Sequence, residues 1–439
     1  MTLSALRAKW LAPLVFFQVY LSATVILFFF GPWPWEVDKP LLLAGYLTAA
    51  QILIAAGYLL SWHRIRRLHG SGVAPTQHIL VGTEFLKRAV LVTFILFIPT
   101  SLSRTGSVFP DIFAGLSDPG AAYNQNFERL EAGNAFVIME YLRMFLSPLL
   151  LGVFPLAVVY WSRLSGWLRF LCFVAIIFNL SLYIATGTNK GLADFLVTLP
   201  WFMFMGVSAG ILRMRIRWRT LAMGFTVLIV AFLQFFGMGQ MQRAGGVGEF
   251  SVFNTGFGLV ESDTANAVSQ VLSDNQRIIF ESLTRYVGQG YYALSMSFDI
   301  DHWSTLGLGH SMFLARNADA IFSTNHFSWG SIPGLLEVET GWGMFTLWHS
   351  IYPWLASDFG FTGALFILSA LSYLFGLSWG RSLVTLAPHW VILSYLLLLL
   401  FFYIPFNNQI FQSGETCFAF GFLLIGTILS KTQSGKVGP

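Results

Sequence analysis

The sequence predicts an all-α polytopic membrane protein, with about ten transmembrane helices and one large external loop, on three observations. Hydrophobic residues make up 55% of the 439 positions and charged residues only 10%, whereas a soluble domain carries roughly a quarter charged residues. Mean hydropathy is +0.66. Apolar runs of about twenty residues recur along the chain, the length a helix needs to cross a bilayer. A soluble Rossmann or TIM-barrel architecture is thereby excluded. Hydrocarbon offers backbone groups no water, so a spanning segment must be a helix or part of a closed barrel. Runs this continuously apolar are not the alternating strands of a barrel. The net charge of +4 is too small and too dispersed for a nucleic-acid binder. Cys172 and Cys417 both lie inside apolar runs, so neither a disulfide framework nor a cysteine metal site is written here, and the redox compartment stays open.

The spans fall at about 11–30, 41–61, 83–101, 138–160, 168–186, 192–210, 220–238, 361–379, 388–405 and 412–430, read from hydropathy. Arg7 and Lys9 precede the first, and Gly31-Pro32-Trp33-Pro34-Trp35 follows it. No small-residue cleavage site stands there, so it reads as a retained anchor rather than a signal peptide. With the N-terminus inside, sixteen of the 25 Lys and Arg are cytoplasmic, including all four arginines of Arg213-Met214-Arg215-Ile216-Arg217-Trp218-Arg219. The positive-inside rule therefore places both termini in the cytoplasm. The other nine, Lys39, Arg104, Arg129, Arg143, Lys190, Arg243, Arg277, Arg285 and Arg316, sit in external loops or near external helix ends. Apart from Glu84, the acids fall on or near that side as well. The outer face is where polar chemistry is expected.

Three stretches follow: 1–238 with helices one to seven, 239–360 as a large extracytoplasmic loop, and 361–439 with helices eight to ten and a short cytoplasmic tail. Segments 102–137 and 239–360 exceed the roughly 12 to 15 residues beyond which a loop is usually functional. The longer one is rich in Trp, Tyr and Phe. Within it Val268, Val271, Leu272, Ile278, Ile279, Leu283 and Tyr286 recur at helical offsets, which predicts an amphipathic helix lying over the bundle. No internal repeat or low-complexity segment is present. The inner loops are short and basic and lack a phosphate-cradling Gly-x4-Gly-Lys-Ser/Thr sequence, which argues against an ATP-driven pump in a single chain.

Near the end of the large loop the chain reads His349-Ser350, nine residues, then Gly360-Phe361-Thr362-Gly363, at the mouth of the eighth span. This resembles the signature of the O-antigen ligase and Wzy-type polymerase superfamily: His, then Asn, Ser or Gln, nine residues, Gly, two residues, and Gly, Thr or Tyr. Thr186-Gly187-Thr188-Asn189-Lys190-Gly191 and Trp354-Leu355-Ala356-Ser357-Asp358-Phe359-Gly360 look like segments of the oligosaccharide repeat-unit polymerases in that superfamily. The resemblance covers short motifs and the overall layout. It implies a GT-C-like glycosyltransferase of the bacterial cytoplasmic (inner) membrane that uses polyprenyl-pyrophosphate-linked oligosaccharide. No nucleotide sugar or other cofactor is implied. Membrane lipids and a possible chain-length regulator protein are its further expected partners, and His349 is its candidate base.

Elementary chemistry points the same way. A lipid-linked donor presents a pyrophosphate at the membrane surface, so its site needs cations at outer helix ends and in the covering loop. Lys190, Arg243, Arg277, Arg285 and Arg316 are the available ones. Arginine suits bidentate phosphate contacts, and pyrophosphate leaves readily once its charge is neutralised. A separate base must take the acceptor hydroxyl proton, a role an imidazole can fill.

Each of these residues also has a plain structural reading. His349 fits a helix-end histidine satisfied by a backbone carbonyl. Arg277, Glu281 and Arg285 lie at i, i+4, i+8, the pattern of a salt-bridged helix face, and Lys190 with Asp194 forms another such pair. Arg243 and Arg316 read equally as solvated loop residues. Glu140 and Arg143 are expected to neutralise one another at a helix end. Trp303, Trp329, Trp342, Trp348 and Trp354 suit either sugar stacking or an interfacial belt. Asp299-Ile300-Asp301-His302 could hold a divalent cation, although carboxylates two apart are common in polar loops and arginines can serve the pyrophosphate. His310 and His326 lack the close spacing of a zinc pair. No metal site is expected.

The leading expectation is an inverting, metal-independent glycan polymerase. The alternatives are an O-antigen ligase, which passes the finished chain to a different acceptor, and a flippase or other transporter of lipid-linked oligosaccharide. Transporters often have internally related halves and polar residues near the midplane, and neither is evident here.

Overall fold

A computed structural model of the protein describes residues 2–70, 75–131, 133, 136–213, 217–243 and 251–434. It is predominantly helical, consistent with an all-α polytopic membrane protein. Six helices are long and apolar enough to cross a membrane: Leu3–Phe30, Pro40–Gly70, Gly166–Ala185, Lys190–Ser208, Trp218–Gln242 and Ile351–Thr385. Two bent pairs, Gln77–Ile95 with Phe97–Thr105 and Val137–Phe145 with Ser147–Arg163, raise the number to eight if each pair is one span. The ninth expected span appears as a shorter apolar helix, Pro388–Tyr403, which at about 1.5 Å rise per residue falls short of a ~30 Å hydrocarbon core. The tenth lies in helix Gly414–Ser434, 21 residues long. The bends have a local cause. Pro99 and Pro148 stand just inside the second helix of each pair, where a missing N–H and a bulky ring disrupt the preceding turn.

Contacts group the chain into two units rather than into the three successive stretches expected. The first comprises Met1–Arg67, Gly248–Leu377 and Leu397–Cys417; the second comprises Leu68–Val247, Ser378–Leu396 and Phe418–Pro439.

In the first unit, helix Leu3–Phe30 begins at a Thr2 N-cap and buries Leu6, Trp10, Leu14, Phe17, Leu21 and Phe28, one stripe at helical period. Val15, Val19 and Ile26 remain exposed, as lipid-facing positions would be. Helix Pro40–Leu60 approaches Ile351–Thr385 closely. A Cβ at Gly57 would overlap the Ser369 carbonyl, and Ser369 and Ser372 donate to Leu53 O and Ile54 O at 2.9 and 2.7 Å. Small residues and hydroxyls at an apolar helix interface are what allow that approach.

The long segment of this unit is folded. It holds a hairpin, Val252–Asn254 with Leu259–Glu261, and helices Asp274–Ser297, Met312–Phe322 and Ile332–Thr340. The expected amphipathic helix differs in extent and burial. Val268 and Val271 belong to a separate short helix, Ala267–Val271, because Ser273 forms a capping box with Gln276 and starts a new helix at Asp274. That helix packs on the first span through Thr24 and Tyr291, whose hydroxyls are 2.9 Å apart. Its face assignment also departs from hydrophobicity: Glu281 is buried, where Ser262 donates to it at 2.9 Å, while Leu283 is exposed.

In the second unit, Glu140 accepts from Ser103 at 2.6 Å and pairs with Arg104 at 3.4 Å. Arg143, buried, donates to Thr100 Oγ1 at 2.9 Å. The arginine cluster at 213–219 lies partly outside the described residues, since 214–216 are not among them.

Candidate functional site

Two polar centres form in the first unit, and the turn at 404–409 is bonded to both. The first is built around the motif histidine. Gly290, in the middle of helix Asp274–Ser297, is bare because a side chain there would overlap the Pro405 carbonyl and crowd Ser350 N. The space left by glycine lets Ser350 N donate to Gly290 O at 3.3 Å, and Ile351 N donates to Ile404 O at 3.0 Å. Trp348 N donates to Gln289 Oε1 at 3.1 Å. His349 is thereby locked between these strands of backbone at 2% exposure. Its Nε2–H faces Gly343 O at 3.3 Å, and among the described residues Nδ1 has no hydrogen-bond partner. Burial pushes its pKa down to about 4, against a small opposing effect of the Gly343 carbonyl, because desolvation penalises the imidazolium.

The other fixed positions of the motif are also structural. Helix Ile351–Thr385 is interrupted at Gly360, with φ 66° and ψ 167°, a region open in practice to glycine alone. A Cβ at Gly363 would press on Phe359 Cβ at 2.9 Å.

The break isolates a short first stretch of helix that carries Asp358, and the second centre is built on it. Thr305 Oγ1 donates to Asp358 Oδ1 at 2.6 Å and Gly307 N at 2.9 Å. His310 N donates to Oδ2 at 2.8 Å, and His310 Nδ1 lies 2.9 Å from the same oxygen. Leu306 and Gly307 take φ 58° and 83°, wrapping loop 305–310 around the carboxylate as a nest of donors. The Asp358 side chain is 1% exposed and that of His310 17%. A carboxylate oxygen accepts, so Nδ1 carries a proton, and in the neutral ring Nε2 is the nitrogen with the lone pair.

Asn408 Nδ2 donates to His310 O at 2.8 Å, and Ser311 Oγ donates to Phe411 O at 2.7 Å. Beside this anchorage lie Asn407, Asn408 and Gln409, all at 3% exposure or less. Among the described residues their side-chain carbonyl oxygens have no hydrogen-bond partner, and the same holds for Ser350 Oγ. Buried polar atoms are normally satisfied, by protein, ordered water or ligand, so this cluster of acceptors at one turn is a place where donors from outside the chain would be held.

The expected cations occupy several surroundings. Arg277 pairs with Asp274 at 3.3 Å and approaches Glu281 at 3.9 Å, the helix-face arrangement. Arg285 lies against the rings of Trp33 and Phe253, at 5.7 and 5.4 Å, and burial lowers its pKa. Arg316 lies 5.3 Å from the Phe345 ring and lines a cavity of about 460 Å³ with Asp319, Asn325, Ser328 and Trp329 among its walls. Although burial works against its charge, hydrogen bonds from Ser328 and from the Phe327 and Ser328 backbone hold the Asp319 carboxyl below its ordinary pKa. Lys190 belongs to the second unit and pairs with Asp194 at 3.0 Å. Arg243 ends helix Trp218–Arg243, and its side chain lies outside the described residues.

Asp299 is paired with Lys39. Among the described residues no three His, Cys, Asp or Glu side chains converge as a metal site requires. Of the five tryptophans, Trp342 and Trp354 are buried, Trp303 and Trp329 are exposed, and Trp348 packs on Tyr286 with ring centroids 5.6 Å apart.

Sequence reasoning missed the pairing of His310 with Asp358, since residues 48 apart give no spacing signal. The run Asn407-Asn408-Gln409 between two apolar helices was a visible clue. No known protein family, curated protein or solved structure matches the chain.

Proposed function

We propose that the protein is a glycan polymerase of the bacterial cytoplasmic membrane. It joins oligosaccharide repeat units carried on polyprenyl pyrophosphate by inverting, metal-independent transfer, with the 239–360 segment outside. The observation that carries the reading is the His349-Ser350-x9-Gly360-x2-Gly363 segment. Its glycines meet definite local needs, since Gly360 adopts a left-handed backbone and a Cβ at Gly363 would press on Phe359, and the backbone of its His349-Ser350 pair is seated at the Gly290 contact. Such agreement between motif and local need supports a functional likeness over chance coincidence. The orphaned buried amides at 407–409 add to that support, because a polyhydroxylated ligand brings many donors.

In this reading the proposed pyrophosphate cations are drawn from the five that the sequence offers, with Arg277, Arg285 and Arg316 in the first unit and Lys190 and Arg243 in the second, each unit taken by itself. Arg316, exposed at the wall of an open cavity, is the best placed of those in the first unit. The motif resemblance assigns the proton acceptor to His349.

The test is elongation by the purified full chain in detergent, supplied with lipid-pyrophosphate-linked repeat units. A ladder of longer lipid-linked products is expected. Transfer only to an added lipid A core acceptor would instead make it a ligase. No covalent product from any acceptor would sink the reading and leave a transporter.

A further inference from the structure

Resting on the polymerase reading, we propose that His310, positioned by Asp358, is the group that takes the proton from the acceptor hydroxyl. His349 then secures the fold around the site.

The argument starts from the carboxylate. Asp358 receives one hydroxyl, two backbone N–H groups and the His310 Nδ1–H, so neither its position nor the tautomer of His310 is free to vary. A base needs its reactive nitrogen unprotonated and its ring held by a third group. The pair meets both conditions. Nδ1–H is committed to Asp358, and among the described residues Nε2 has no protein hydrogen-bond partner, while the ring stays 17% exposed. A purely architectural histidine has the opposite arrangement, enclosed and with its polar contact directed at backbone, which is what His349 shows.

The surroundings suit a saccharide. The His310 ring packs near Phe359 and Phe411, at centroid distances of 6.0 and 5.1 Å. Its own carbonyl is held by Asn408, whose Oδ1 is buried without a partner, as are Asn407 Oδ1 and Gln409 Oε1. These are buried acceptors beside the His310 loop that hydroxyl or water donors would satisfy.

In the step itself, the Nε2 lone pair takes the hydroxyl proton as the acceptor oxygen bonds to the anomeric carbon of the donor. The anomeric C–O bond to pyrophosphate breaks, and its electron pair leaves with the lipid pyrophosphate. The imidazolium then returns its proton to solvent. Asp358 stays ionised throughout and stabilises the transient cation.

Elongation of lipid-pyrophosphate-linked repeat units by the purified full chain tests this, with His310→Gln, Asp358→Asn, Asp358→Glu and His349→Ala beside the wild type. His310→Gln is expected to lower kcat by about 10²- to 10⁴-fold, the usual contribution of a general base, with KM little changed. Asp358→Asn should also lower kcat, and Asp358→Glu should restore part of it. Retention by His310→Gln of kcat within about threefold of wild type overturns the proposal. So does loss of catalysis in a correctly folded His349→Ala protein while His310→Gln stays active. A wild type that transfers nothing overturns the polymerase reading and this step together.

Labelling of the wild type with diethyl pyrocarbonate, which needs no variant to fold, supplies the second measurement. Peptide mapping should find His310 modified, His349 unmodified, and His310 protected by lipid-linked repeat units. An unreactive His310 under conditions that label His326 would show that Nε2 is closed off, and the assignment would fall.

Discussion

His349 and His310 stand in the same long segment and the same contact unit, yet their surroundings are opposites. Among the described residues His349 has no carboxylate partner, it is nearly closed to solvent, and burial suppresses its charged form. His310 has a buried carboxylate on one nitrogen and, among the described residues, no protein partner on the second. The difference teaches that a motif position and a chemically competent position need not coincide. A residue can be fixed by sequence pattern because the backbone around it tolerates nothing else. Another can be equipped for chemistry by partners far away in the chain. Both are tied to the 404–409 turn, so the comparison can be broken from either side.

The largest effect is expected from Gly290→Ala. Its Cβ would overlap a backbone carbonyl at Pro405 rather than a flexible side chain, so the chain must move apart where His349 and Ser350 are seated. A loss of about 3 kcal/mol or more belongs to this mechanism class, read as a sharply lowered unfolding midpoint or failure to recover monodisperse protein in detergent. A midpoint unchanged from wild type would mean that the His349 corner is looser than described.

Acid should also separate the two histidines. Folded protein keeps His349 neutral down to about pH 4, whereas an unfolded chain protonates histidine near 6.5. The unfolded state therefore binds more protons in this window, and stability falls as pH drops from about 6.5 to about 4. The His349 contribution is on the order of 3 kcal/mol at the acid end. Unfolding of wild type and His349→Gln across that range isolates it, because every other titrating group is common to both. The variant should be the less acid-sensitive protein; identical pH dependence would remove the claim that His349 is buried neutral.

The membrane helices were largely legible in the sequence because lipid imposes a length and a composition on each one. The expected spans at 11–30 and 41–61 coincide closely with Leu3–Phe30 and Pro40–Leu60. The breaks were less legible, although Pro99 and Pro148 carried their cause. Periodicity failed at Glu281 and Leu283, since a buried carboxylate held by Ser262 from another element leaves no trace in spacing. The same limit hid the His310 and Asp358 pair: loop 305–310 closes on helix Ile351–Thr385 through tertiary hydrogen bonds. Gly360 is the instructive middle case. The sequence marked it as a motif position without revealing that it needs a left-handed backbone.

Gly360→Ala comes next in size and acts on both centres, since the break lies between the Asp358 stretch and the rest of its helix. No atom lies within 4 Å of the Cβ that would be added, so its cost is conformational, about 1 to 3 kcal/mol. A lowered unfolding midpoint is expected, together with reduced elongation if Asp358 is displaced. An unchanged midpoint would mean that the backbone relaxes without strain and that the break does not fix Asp358.

Thr305→Val is the smallest and most selective change. It is nearly isosteric at a position only 1% exposed, and it deletes the 2.6 Å hydroxyl donor to Asp358 Oδ1 while leaving the donors from Gly307 and His310 in place. The same hydroxyl accepts from Gly309 N at 3.0 Å, so the loop also loses an internal tie. A hydrogen bond to a charged group is worth about 1.5 to 3 kcal/mol, and the remaining donors should limit the loss to the lower end of that range. If Asp358 positions His310, elongation should fall by roughly tenfold, equivalent to about 1.4 kcal/mol, with KM nearly unchanged, and the acid dependence of stability assigned to His349 should stay as in wild type. A kcat equal to wild type beside a lowered midpoint would reduce the carboxylate to a fold-holding role. A shift in the His349 acid profile would mean that the two centres are coupled through the 404–409 turn and act as one.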